Sequence, residues 1–167
     1  MISSRVFFLS SNTWLIVGIS IYPKVEIKII LENKRNQRIE FTSETWNQLS
    51  EGDSTIGDIQ IESIYIQGSE GVKICQNDAK IFILKNTFDN LKDLVWTVNN
   101  EYDCKKFSLK FVQDVVERIC NVLSTSDTFS TAKEKVKEIC FSPMEREMIL
   151  NITDLLKIKN EKNVQEG

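Results

Sequence analysis

Apolar and polar residues alternate with a period of two along the first half of the chain. Val25, Ile27, Ile29 and Leu31 fall on one face while Glu26 and Lys28 fall on the other, the pattern of a half-buried strand. The same spacing predicts strands over residues 5–9 and 14–22, with Ser10-Ser11-Asn12-Thr13 turning between them and Pro23 ending the second. Residues 32–37 read as a polar turn and 38–41 as a return strand with Ile39 and Phe41 inward. Residues 58–66 alternate again, with a change of phase at Ser63 that suggests a bulge. A turn follows at 68–71, then a hairpin of residues 72–75 and 80–84. Thr42 and Ser43 are cap residues for a short helix carrying Trp46 and Leu49, which Gly52 closes.

Near Asn86 the period changes from two to 3.6. Asn86 has N-cap character, and Phe88, Leu91, Leu94, Val95, Trp96 and Val98 form one stripe. A second helix is expected from about Ser108, on Leu109, Val112, Val115, Val116, Ile119 and Leu123. Others are expected near Asp127 and from Ser142-Pro143-Met144-Glu145, which places Ser at the N-cap, Pro at N1 and Glu at N3. The expected fold class is therefore α+β. An antiparallel β-rich domain with two β-β-α units spans residues 1–104, and a C-terminal helical extension packed on it spans residues 105–167.

The junction of residues 39–49 can be laid over residues 81–91. Ile39 then matches Ile81, Phe41 matches Ile83, Thr45 matches Thr87, Trp46 matches Phe88 and Leu49 matches Leu91. In each copy an aromatic and a leucine on the first turns can pin the helix across the sheet. The strand, polar cap, tryptophan and leucine of Ile39-Glu40-Phe41-Thr42-Ser43-Glu44-Thr45-Trp46-Asn47-Gln48-Leu49 resemble the strand-to-helix segment of the positive-cofactor-four transcriptional coactivators. Two such units in one chain resemble the Whirly proteins. The resemblance implies a curved antiparallel sheet with helices on one side and single-stranded nucleic acid on the other.

Composition narrows the chemistry. The chain has 167 residues, 41% apolar and 27% charged, and a net charge of −3. Residues 1–104 hold 10 basic and 14 acidic residues, and residues 105–167 hold 11 and 10, so any nucleic-acid contact must use a local patch. One such patch is Lys34, Arg35 and Arg38, with Lys28 nearby; Lys105, Lys106 and Lys110 form another. Trp14, Tyr22 and Tyr65 supply flat rings for base stacking if they face outward. The candidate nucleic-acid-binding residues are Lys28, Lys34, Arg35, Arg38, Trp14 and Tyr65.

There is no histidine, which removes the usual general base and the commonest metal ligand. Cys75, Cys104, Cys120 and Cys140 contain no Cys-x-x-Cys pair, so a zinc site is not expected, and they read as buried free thiols of a reducing compartment, with two disulfides of a secreted protein as the alternative. No catalytic, metal or cofactor site is expected, and the protein is not expected to be an enzyme. Neither apolar run near the N-terminus is long enough to span a membrane, and the polar break between them disfavours a signal peptide.

The expected function is single-stranded DNA or RNA binding, associated with transcription or replication, in the nucleus or cytoplasm and away from membranes. The alternative is a non-catalytic interaction or dimerisation scaffold. It would meet a protein partner, or a second copy, through the sheet or the C-terminal helices.

Overall fold

The computed structural model describes residues 1–125 together with Thr131, Glu134, Lys135, Ile149 and Ile152. The helices expected near Asp127 and Ser142 lie largely outside the described residues. Within them the order is β1 (Ile2–Ser10), β2 (Thr13–Ser20), β3 (Glu26–Asn33), β4 (Arg38–Phe41), α1 (Ser43–Gln48), β5 (Thr55–Ile56), β6 (Ile59–Ile66), β7 (Ser69–Gln76), β8 (Ala79–Leu84), α2 (Lys85–Asp93) and α3 (Val95–Ser124). The fold is α+β, as the change of period predicts. The strands form two four-stranded antiparallel sheets, β1-β2-β3-β4 and β5-β6-β7-β8, instead of one. Each sheet is a run of sequential neighbours and each is followed by a helix.

Cα packing divides the chain into two units. The first holds nearly all of both sheets, α1, α2 and the start of α3 up to Lys106, and the second holds Ile2, Ser20–Val25 and the chain from Phe107. The division near residue 105 thus falls inside one continuous helix. In the second unit the stripe of Val112, Val115 and Ile119 is buried, as are Ile149 and Ile152.

In the first unit the two hairpins share one register. Leu31 faces Ile39 and Ile29 faces Phe41; Ile74 faces Ile81 and Val72 faces Ile83. All eight side chains join one core with Leu15, Val17, Ile59, Trp46, Leu49, Phe88, Leu91 and Val98. Trp46 and Phe88 both enter it. Trp46 is fully buried, meets Phe41 edge-on at 5.3 Å, and donates its indole N–H to the Val95 carbonyl at 3.4 Å. Burial of an aromatic this size is the main reason a helix of six residues stays folded.

Several local expectations change. Pairing runs unbroken through Ser63, with Glu62 opposite Lys73, Ser63 opposite Val72 and Ile64 opposite Gly71. There is no bulge at Ser63: the serine is exposed, and Ile64 and Ile66 are half-buried on the other face of the strand. Residues 69–71 belong to strand β7, not to a turn. Helix α2 begins at Lys85 behind Leu84, which makes no side-chain cap, while Asn86 uses its side chain on the N–H of Thr87. The break expected before Ser108 sits instead at Leu94, after which α3 runs on for 30 residues with no glycine or proline. Trp96 is 75% exposed and does not widen the apolar stripe. Cys104 and Cys120 are exposed free thiols, and Cys75 is half-buried; Cys140 lies outside the described residues.

Candidate nucleic-acid interface

The turn between β3 and β4 is organised by one side chain. Asn33 Oδ1 accepts the N–H of Arg35 at 2.9 Å and of Gln37 at 3.1 Å, while Asn36 takes a left-handed φ of 57° and donates to the Asn33 carbonyl. Asparagine tolerates that backbone region better than most residues. The result carries Lys34 and Arg35 outward at the apex. The Lys34 N–H also donates to the Asn12 carbonyl at 3.0 Å, tying this turn to the one between β1 and β2.

Strand β8 lies beside this end of the first sheet. Gln37 Oε1 accepts the backbone N–H of Lys80 at 3.1 Å. Because Ile81 and Ile83 point into the core, Lys80 and Phe82 point out, and Phe82 is 54% exposed. Together these pieces line a half-open pocket of about 640 Å³. One wall is Asn12 and Thr13, a second is Asn33, Lys34, Arg35 and Gln37, and a third is Lys80 and Phe82. Three cations, three amides and an aromatic line it, with no carboxylate among the lining residues. Such a wall attracts anions and holds a flat ring at its edge.

Most other cations of the expected patches are spent. Lys28 pairs with Glu40 at 2.8 Å and Glu26 at 3.7 Å, and Arg38 pairs with Glu32 at 3.2 Å. Lys73, opposite Phe82, bonds Glu62 at 2.9 Å, and that hydrogen bond holds its ammonium above the ordinary lysine value. Lys106 is likewise raised by its hydrogen bond to Asp103. Lys105 bonds Glu101 at 2.7 Å, and this bond, with a further one from Arg5, lowers the Glu101 carboxyl. Among the described residues, by contrast, no carboxylate forms an ion pair with Lys34, Arg35 or Lys80.

Of the six candidates read from the sequence, only Lys34 and Arg35 line the pocket. Lys28 and Arg38 are neutralised in place. Trp14 is half-buried, directly after the pocket residue Thr13 and on the face opposite Leu15 and Val17. Tyr65 is 78% exposed near the far end of β6, outside the pocket. Lys80, Phe82, Asn12, Asn33 and Gln37 were not among the sequence candidates. For Lys80 and Phe82 a signal existed, since both sit out of phase with the inward isoleucines of their strand.

At the corresponding place in the second sheet, Asp58 precedes β6 as Asn12 precedes β2, and Gln76 ends β7 as Asn33 ends β3. Gln76 Oε1 accepts the Glu40 N–H at 2.7 Å, and its Nε2 donates to the Glu40 carbonyl at 2.9 Å and the Asp58 carboxylate at 3.2 Å. This second mouth is bridged and acidic.

No group of three or more cysteine, aspartate or glutamate side chains among the described residues is placed to hold a metal ion. No described helix is long and apolar enough to cross a membrane. Comparison with protein-family models, curated proteins and solved structures finds no match for this chain.

Proposed function

We propose that the protein is a non-catalytic module that binds single-stranded nucleic acid through the pocket beside the β3–β4 turn, in a setting of transcription or replication within the nucleus or cytoplasm. The observation that carries this reading is the set of three cations, Lys34, Arg35 and Lys80, that form no ion pair among the described residues and lie beside the exposed ring of Phe82. Cations take phosphates and the ring takes a base, which is the chemistry a flexible strand needs. Two consecutive units of four strands and a helix, each anchored by an aromatic, also support it. A duplex buries its base faces, so a single strand is the better match for Phe82.

The test is anisotropy of a labelled single-stranded oligonucleotide at about 50 mM salt, where few-cation contacts are least screened. Unaltered protein binds. Arg35→Glu combined with Lys80→Glu removes binding while the far-ultraviolet circular dichroism stays unchanged. Retained binding in that variant moves the site off the pocket.

A scaffold role has one observation in its favour. Phe107 is 88% exposed on α3, with Phe111 partly exposed one turn further on. If the scaffold reading holds, Phe107→Ser lowers the apparent mass in sedimentation and the charge variants change nothing.

A further inference from the structure

The pocket's hydrogen-bonding inventory specifies more than a general affinity for a strand. Asn33 Oδ1 is occupied by two backbone N–H groups and Gln37 Oε1 by a third, so these atoms are fixed as the amide oxygens. What each amide still offers to the pocket is its NH₂, a pure donor. Lys34, Arg35 and Lys80 also only donate. The pocket therefore presents a nearly all-donor lining carrying three positive charges.

An internal phosphodiester brings one negative charge and two non-bridging oxygens. A phosphomonoester brings about −1.5 to −2 charges at pH 7 and three strong acceptor oxygens. The second matches three cations and two amide donors; the first leaves donors unused. Geometry agrees. The Lys34 N–H bond to the Asn12 carbonyl and the Lys80 N–H bond to Gln37 tie the walls to one another. A strand end can place its terminal phosphate inside this half-open pocket, with the last nucleotide at the mouth. Phe82, half exposed at the wall, stands where the sugar or base of that last nucleotide would rest. A volume of about 640 Å³ is within the usual span of small-ligand pockets, about 300–1,000 Å³.

We infer that the pocket takes the phosphomonoester at the end of a nucleic-acid strand, held by Lys34, Arg35, Lys80 and the amides of Asn33 and Gln37, with the terminal nucleotide against Phe82. This inference rests on the proposed strand-binding reading and sharpens it.

The experiment compares one short thymidine oligonucleotide in three forms: phosphorylated at either end or at neither. Binding is read by competition against a labelled strand, with thymidine monophosphate as a fourth competitor. One of the end-phosphorylated forms should bind about tenfold more tightly than the unphosphorylated one, as expected for added charge-assisted hydrogen bonds. Lys80→Gln should weaken all strands and erase that increment, so that phosphorylated and unphosphorylated strands bind the variant alike. Equal affinity of all three strands overturns the end-binding inference but leaves strand binding standing. Monophosphate binding without binding of any strand overturns it in favour of a free-nucleotide site. Failure of every probe overturns both readings.

Discussion

In the first hairpin-helix unit Leu31 faces Ile39 and a tryptophan anchors α1; in the second Ile74 faces Ile81 and a phenylalanine anchors α2. Inward positions follow one rule in both. At the outward end they part. The turn after β3 projects Lys34 and Arg35 into an open basic pocket, while the turn after β7 carries Asn77 and Asp78, and Gln76 closes the space against Asp58 and Glu40. Core packing tolerates few alternatives, because each inward methyl group has many partners. A turn apex has water for a neighbour, so its charge is free to diverge. The comparison teaches that the shared part of the two units is their architecture, and that the proposed function resides in the part they do not share.

The largest effect should come from the shared part. Trp46→Ala should destabilise the protein by about 3–5 kcal/mol, and Phe88→Ala by an amount near the lower end of that range, measured by urea unfolding. Phe88 is slightly exposed and edges onto Lys85 and Lys92, whereas Trp46 is sealed and hydrogen-bonded. If Phe88→Ala proves neutral, the two aromatics are not equivalent anchors.

The closed mouth offers the next test. Gln76 imitates a strand's peptide group by serving both the N–H and the carbonyl of Glu40. Gln76→Ala should cost about 0.5–1.5 kcal/mol in stability, since both Glu40 groups are exposed and turn to water once the bridge is gone. The matching change at the open mouth, Asn33→Ala, should loosen the β3–β4 turn and weaken oligonucleotide binding through misplaced Lys34 and Arg35. A Gln76→Ala protein with unchanged unfolding would show that the bridge does not hold the sheets' edges together.

A smaller difference lies at the helix starts. Thr42 and Thr45 satisfy each other's backbone N–H groups at the head of α1, while α2 starts at Leu84 without a side-chain cap. Thr42→Ala should therefore cost about 1 kcal/mol, and Asn86→Ala distinctly less. Equal losses in the two unfolding curves would mean that Asn86 caps α2 after all.

Much of this architecture was legible in the sequence. Period-two runs located most strands, and the junction match identified Trp46 and Phe88 as related core residues. Strand separation into two sheets was not legible, because the sheets are bridged by side-chain bonds, of Gln37 to β8 and of Gln76 at the end of β7 to β4, which carry no periodic signal. The pocket shares that origin. Its third wall comes from β8, some forty residues beyond the turn that the basic cluster marked. Charge clusters were also poor guides by themselves. Lys28 and Arg38 looked equivalent to Lys34 and Arg35, yet antiparallel pairing sets Glu40 and Glu32 against them. Continuity of α3 could have been read from the lack of glycine and proline between 95 and 124, but the polar run at 99–101 reads as a break when only apolar spacing is followed.

On the proposed reading the open mouth, and not the closed one, takes the strand. The most direct measurement is the dependence of oligonucleotide affinity on salt concentration. On a strand without a terminal phosphate, each phosphate neutralised contributes about −0.7 to the slope of log affinity against log salt, so three pocket cations predict a slope of about −2. Replacing Lys34, Arg35 and Lys80 together with glutamine should bring that slope close to zero, and replacing Asp58 and Asp78 with asparagine should leave it as it was. A slope that survives the first set of changes, or that shifts with the second, would contradict the account.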